Sequence, residues 1–328
     1  MIEIVKPSVK LLHSDNSIES MWLNMERCAR LCYASEPKEG NTWEDAKKFC
    51  LKHINAGHTS IGRHGSVYLG FNMEARNDFN DYLDIEKYMH SPYCLFTIIN
   101  NFVYVTTNYQ FISEHFDEEF MEKYWVMFIP DIAKRFTFIV TTQISTSREL
   151  NRTSPNNIME QSTRYVNFNN KGGVICQPWW FDLFLKENEN IYAHIDNDTL
   201  YITVNDKTHP WCNTHCKVTD NNRGYYDSTV EGFIRKWCID FHFYNENIQR
   251  GMKPQDARGA LPLDTATKVA YSYNLKELVE VVNKRFLGTT GKPHPNAHII
   301  AEQFKKLVID KLPVTVKYDE NEKRYITI

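Results

Sequence analysis

Apolar positions in the first sixty residues recur at helical spacing and then change period. After a short strand and turn over 1–17, Ser17–Tyr33 has the composition of a helix. The next helix is better bounded. Thr42 followed by Trp43, Glu44 and Asp45 offers an N-cap with acid in the first turn. Ala46, Phe49, Cys50 and His53–Ile54 follow at i, i+3, i+4 and i+7/i+8, and Gly57 supplies a C-terminal stop. Val67, Leu69 and Phe71 then alternate, which predicts a strand. Residues 94–110 are expected to hold one buried strand, interrupted by the polar pair Asn100–Asn101. Helical signals return over 113–134, and Arg135–Gln143, RFTFIVTTQ, reads as a buried strand.

The segment that follows is chemically dense. Leu150–Thr153 can extend a short helix, but Pro155 disfavours helix at Ser154, and Asn156 and Asn157 suit a turn. Glu160, Ser162 and Arg164 then sit at i, i+2 and i+4. In an extended chain they share a face, setting a carboxylate, a hydroxyl and a guanidinium along about 13 Å. Arg152 and Arg164 carry planar forks of donors suited to anionic or carbonyl oxygens. Pattern alone leaves two readings, a ladder for a phosphorylated ligand or a polar edge strand with solvated charges.

Beyond it, residues 169–173 (NNKGG) make a turn, and a polar run rich in Asn and Asp extends to about 228. This stretch is expected to be a loop-rich surface insertion on a single domain spanning 1–328. It contains HPWCNTHC, in which His209, Cys212, His215 and Cys216 are possible zinc ligands. Their spacing is tight for one tetrahedral site, so no metal is expected and Cys212 and Cys216 stand only as candidates. Ser228–Arg250 reads as a long helix with Phe233, Ile234, Trp237, Cys238 and Phe241 on its apolar stripe. A further helix from about Asn274 carries Leu275, Leu278, Val279 and Val282 inward. Arg285 lies eleven residues past Asn274, about three turns, so the two should share a face about 16 Å apart. Asn296–Asp310 is a last amphipathic helix, and Leu312–Ile328 a hairpin.

Composition narrows the class. The chain has 328 residues, 42% hydrophobic and 24% charged, as in an ordinary globular protein. A net charge of −3 gives no broad basic field for nucleic acid. No apolar run approaches a membrane span, and the opening MIEIVKPSVKLL lacks the apolar centre of a signal peptide, so a cytoplasmic location is expected. Eight scattered cysteines suit reduced, buried thiols rather than a disulfide framework.

Four segments together resemble the flavin-dependent thymidylate synthases, the ThyX family. Arg152–Tyr165, RTSPNNIMEQSTRY, resembles that family's RHRxxSxxxxSxRY signature without a gap: Arg152, Ser162, Arg164 and Tyr165 match, and Glu160 falls on its acidic position. Thr153, Ser154 and Asn157 depart from it. Gly57–Phe71 is similar to GHxSxxEHxxxxF through Gly57, His58, Ser60 and His64, with Arg63 in place of the Glu and Phe71 two positions beyond the pattern's aromatic. Met252–Thr265 resembles PxxARxxLP through Arg258 and Pro262. Asn274 and Arg285 keep the family's separation, and Lys276 stands where many members have Arg.

The resemblance implies an α+β fold with a central, mainly antiparallel sheet flanked by long helices, assembled as a homotetramer with shared sites. It implies methylation of dUMP to dTMP, with methylenetetrahydrofolate as carbon donor, NADPH as reductant and FAD as hydride carrier. Arg152 and Arg285 would be catalytic, at the uracil carbonyls. Glu149, Arg152, Glu160, Ser162, Arg164, Arg258 and Arg285 would hold dUMP; His58, Ser60, Glu160, Asn274 and Lys276 would meet flavin. No cysteine lies in the anionic motif, in keeping with a route that needs no thiol nucleophile. The departures at Arg63, Thr153, Ser154 and Lys276 all fall on the flavin side. They leave open a related flavoenzyme installing another one-carbon group on a pyrimidine nucleotide, or a nucleotide-binding homologue without flavin.

Overall fold

Short polar side chains decide where the first helices begin. Helix Ile18–Leu31 starts where Ser17 Oγ accepts the Ser20 N–H at 3.1 Å. Asp15 accepts the Ser17 hydroxyl at 2.6 Å, and this bond is the main reason its carboxyl is lowered to about 2. Helix Trp43–Asn55 opens with a capping box between Thr42 and Asp45. It stops at Gly57, whose φ of +95° is one that a Cβ would oppose.

The computed structural model describes residues 2–153, 157–168, 173–183, 191–196, 199–204, 207–210 and 221–328. They divide into two compact units, each gathered from separate stretches of chain. The first comprises 1–8, 141–149 and 161–268, the second 9–140, 150–160 and 269–328.

The second unit has two apolar cores. In one, Trp22, Met25, Cys28 and Cys50 of the first two helices cluster with Val67, Leu69 and Phe71 of strand Ser66–Asn72. That strand pairs antiparallel with Phe102–Asn108, which pairs antiparallel with Leu95–Ile99. Where one strand was expected over 94–110, two form a hairpin. Asn100 accepts a φ of 53° at the turn, a conformation asparagine tolerates better than most residues. The other core joins Phe138 and Val140, Tyr271 and Tyr273, Leu275, Leu278 and Val282, and Ile300 and Phe304. Its sheet runs in the order Ser8–Leu11, Arg135–Gln143, Ala266–Asn274 and Ile158–Glu160. The sequence reading missed Ala266–Asn274. Every residue from Val269 to Tyr273 is buried, so the strand carries no inside–outside alternation to detect.

The expected insertion over about 169–228 falls within the first unit. The described parts of 169–228 contribute four strands to a five-stranded sheet. Its order is Lys207–Pro210, Thr199–Val204, Ile191–Asp196, Ile2–Val5 and Gly173–Cys176, all antiparallel except the parallel pair of Ile2–Val5 with Gly173–Cys176. In the register of that ladder, Leu200 pairs with Ile195, Ile202 with Ala193 and Val204 with Ile191. The intervening Asn and Asp diluted the composition without breaking that register. Helix Asn221–Gln249 begins before the expected Ser228 and buries Ile234, Trp237, Cys238 and Phe241. Trp237 comes so close to Gly173 that a Cβ there would lie 2.8 Å from its ring.

The architecture is thus mixed α+β with mainly antiparallel sheets, as expected. Among the described residues no helix is long and apolar enough to cross a membrane.

Candidate functional site

Strand Ala266–Asn274 delivers its last residue to a helix terminus. Asn274 Oδ1 accepts the Glu277 N–H at 2.8 Å, and Glu277 Oε2 accepts the Asn274 N–H at 2.9 Å, a capping box that starts helix Leu275–Val282. The helix gives way to a π turn, Asn283–Leu287, which ends at Gly288 with φ +76°. The expectation that Asn274 and Arg285 share a helix face is therefore corrected. Asn274 stands outside the helix in extended conformation, and a π turn does not advance by 3.6 residues.

The C-terminal hairpin, Val316–Asp319 with Arg324–Thr327, docks beside this helix. Between them opens a groove of about 590 Å³ lined by Thr153, Asn274, Lys276, Glu280, Arg324 and Tyr325. Val279 and Ile326 add apolar wall. The carboxylates here are already engaged: Glu277 caps Asn274, and Glu280 lies 2.9 Å from Lys284. Arg324 is held by Glu322 at 2.5 Å. Lys276 is exposed and meets no carboxylate among the described residues. The Thr153 hydroxyl is buried with no hydrogen-bond partner. The groove thus sets the Lys276 ammonium, the Arg324 guanidinium and the Thr153 hydroxyl, as donors, beside a short apolar wall, within the size of ordinary ligand pockets. That donor set fits the phosphates and polar ring edge of a flavin dinucleotide.

His58 and Ser60 are exposed at the exit of helix Trp43–Asn55 and do not line this groove. The His58 ring lies 6.1 Å from that of His53, whose pKa is lowered first by burial and then by His58. His64, the other histidine of this motif, has a structural place. Its Nδ1 lies 2.9 Å from Ser272 Oγ, which lies 2.8 Å from Thr137 Oγ1. Burial, reinforced by Arg135 and Arg63, lowers its pKa to about 3 and keeps it neutral. Arg63 itself donates from Nε to Gln110 Oε1 at 2.8 Å.

On the nucleotide side, Glu160 ends a short strand and pairs with Val269. The extended run expected to carry Glu160, Ser162 and Arg164 on one face stops there. Gln161 N–H donates to Lys268 at 2.8 Å, and the chain then turns. Ser162 Oγ accepts the Arg164 N–H at 3.1 Å, and the Ser162 carbonyl accepts the Val166 N–H at 3.2 Å. A serine that captures a backbone N–H two residues on favours a turn over a ladder, which explains the difference. The exposed Arg164 guanidinium lies 5.3 Å from the Tyr165 ring centroid. Arg258 donates from Nη1 to Thr163 Oγ1 at 3.2 Å, which brings it to this same turn within the first unit. Glu149, half-buried, also belongs to the first unit; exposed Arg152 and half-buried Arg285 belong to the second.

Ser154, Cys212, His215 and Cys216, and the side chain of His209, lie outside the described residues. Among the described residues no three His, Cys, Asp or Glu side chains gather as a metal site. The sequence reading passed over Glu277, Asn283, Arg324 and Tyr325. For Glu277 a signal existed, since Asn274 followed by acid three residues on is a capping pattern. The other three have none, because their roles arise only when the hairpin docks.

Fold and groove define a mixed α+β protein with an open groove that Lys276, Arg324 and Thr153 line. Residues 133–314, more than half of the chain, match the Thy1 family, thymidylate synthase complementing protein. The chain belongs to that family. Similar solved structures include the UMP/dUMP methylase PolB from Streptomyces cacaoi, crystallised with 5-Br UMP and with 5-Br dUMP. Each is 14% identical, covers 94% of this chain and 92% of its own, and has a TM-score of 0.41, a likeness too distant to transfer chemistry. No curated protein sequence matches the chain.

Proposed function

We propose that the protein is a flavin-dependent thymidylate synthase that converts dUMP to dTMP, with methylenetetrahydrofolate as carbon donor and NADPH as reductant. The observation that carries this reading is the groove itself. Thr153, Asn274 and Lys276, from segments far apart in the chain, line one donor-rich cleft, and these are positions the ThyX resemblance puts on the flavin side. Membership of the Thy1 family supports it.

FAD, when bound, would supply hydride transfer to the activated pyrimidine. The chain's own residues bind and polarise. Arg152 and Arg285 act at the uracil carbonyls, where fixed guanidiniums stabilise the negative charge of an enolate-like ring. Ser162, Arg164 and Arg258 hold phosphate and sugar, with Glu149 and Glu160 orienting the nucleotide. Asn274, Lys276 and Thr153 hold flavin in the groove, and His58, Ser60 and Glu160, which do not line it, meet parts of the flavin that extend beyond it. In the homotetramer proposed here, Arg164 and Arg258 serve the nucleotide of a neighbouring copy.

A further observation fits a route without a thiol nucleophile. Burial raises Cys32, Cys94 and Cys238 to about 11 each, far from thiolate formation at neutral pH. Cys28, Cys50 and Cys176 are raised as well, again mainly by burial.

The test is the visible spectrum of the purified protein with and without added FAD, followed by NADPH oxidation assayed with dUMP and the folate. Oxidation that requires both, with dTMP as product, is expected. Turnover only with another pyrimidine nucleotide would make it a related flavoenzyme. Nucleotide binding by a protein that takes up no flavin would reduce it to a non-catalytic homologue.

A further inference from the structure

The family match ends at residue 314, and the hairpin that walls the groove begins at Val316. We propose that this C-terminal hairpin is part of the ligand site: Arg324, with Lys276 on the facing helix, grips the phosphates of the flavin dinucleotide. The inference rests on the flavin reading above and adds to it a binding element from outside the matched segment.

The physical case begins with charge. Lys276 and Arg324 both line the groove. Of its carboxylates, Glu277 accepts the Asn274 N–H in the helix cap and Glu280 is paired with Lys284 at 2.9 Å. Among the described residues, Glu322 restrains Arg324 through Nε and Nη2, each at 2.5 Å. Both partners of that pair are about half exposed, 47% and 53%, and ion pairs at such sites are weak enough to be exchanged for a better anion. A phosphate oxygen pair matches the guanidinium fork at least as well as a carboxylate does. The hairpin is also positioned firmly enough to serve. Asn283, 2% exposed on the π turn, binds both backbone atoms of Tyr325, next to Arg324. Val316 on the other strand is buried in the core.

The test compares FAD with riboflavin, which lacks the phosphates, by flavin fluorescence titration of the full chain stripped of flavin. Both side chains are exposed, so Lys276→Ala and Arg324→Ala should fold, as circular dichroism would verify. Each is expected to weaken FAD binding roughly tenfold to a hundredfold while leaving riboflavin unchanged. Glu322→Gln, which releases Arg324, is expected to tighten FAD, a gain that a merely structural ion pair would not give. FAD bound equally by wild type and Arg324→Ala would overturn the hairpin's role and leave the flavin reading intact. Equal losses for FAD and riboflavin would also overturn it, since the contact would then not be to phosphate. No binding of either flavin by the wild type would overturn both readings together.

Discussion

Asn283 pairs with Tyr325 as one strand residue pairs with another. Its Nδ2 donates to the Tyr325 carbonyl at 2.8 Å, and its Oδ1 accepts the Tyr325 N–H at 2.8 Å. One side-chain amide thus completes the inner edge of a two-stranded hairpin that would be marginal alone. Asn283→Ala strips both bonds from that edge and should cost about 1–3 kcal/mol. Hydrogen exchange should quicken over 324–327 while strand Ala266–Asn274 stays protected. Unchanged exchange in the hairpin would show that other contacts hold it.

Gly173 and Trp237 set a limit of a different kind. A methyl group at 173 would meet the Trp237 ring at 2.8 Å and Phe241 at 2.9 Å. Trp237 is 2% exposed and stacked on Phe241 at 5.1 Å, so neither ring can move alone. Gly173→Ala should destabilise the first unit by about 1–3 kcal/mol through overpacking. A melting temperature equal to that of the wild type would show the contact to be soft.

His64 makes stability depend on acid. Its folded pKa is about 3 against the ordinary 6.5, so the unfolded chain takes up a proton below 6.5 that the folded chain refuses. The stability it contributes is complete above pH 6.5 and is lost as pH falls from there toward 3. The slope is at most about 1.4 kcal/mol per pH unit. His64→Gln removes the titrating group, so urea midpoints of the variant should vary less over that window. Parallel curves for variant and wild type would count against a buried neutral histidine.

Arg258 reaches the 162–165 turn through Thr163, and in the proposed function it binds nucleotide phosphate. Arg258→Ala should weaken dUMP by the value of a charged hydrogen bond, about 1.5–3 kcal/mol, with flavin affinity unchanged. Calorimetric titration of both ligands separates the two. An unaltered dUMP affinity would leave Arg258 as a structural brace of the turn.

Arg285→Ala should abolish turnover while flavin remains bound, measured by dTMP formation beside the flavin spectrum. Retained turnover would mean that the π turn carries Arg285 away from the pyrimidine.

Much of the fold was legible in local signals. Thr42 and Gly57 marked helix ends through caps that act within a few residues, and Arg135–Gln143 announced itself as an apolar run. Where signals were not local, the reading slipped. Val67, Leu69 and Phe71 alternate, yet Tyr68 between the first two is buried as well. The four strands of the expected insertion pair with one another and with Ile2–Val5, a partner at the far end of the chain that no window of sequence contains.

The sequence by itself determined the chemistry available: the order of Arg152, Ser162, Arg164 and Arg258, the caps, the acid at Glu160 and the absence of a cysteine from Arg152–Tyr165. Only the tertiary structure decided which of those groups meet. Ser162 turned the chain by capturing a backbone N–H, so Arg164 left the face that alternation assigned to it. The groove exists because a helix, a residue following another helix and the last strand converge, and Asn283 holds that strand in place. Residue type and spacing act over a few ångströms of backbone. Convergence depends on long-range packing and on which buried polar atoms find partners, and those are properties of the folded whole.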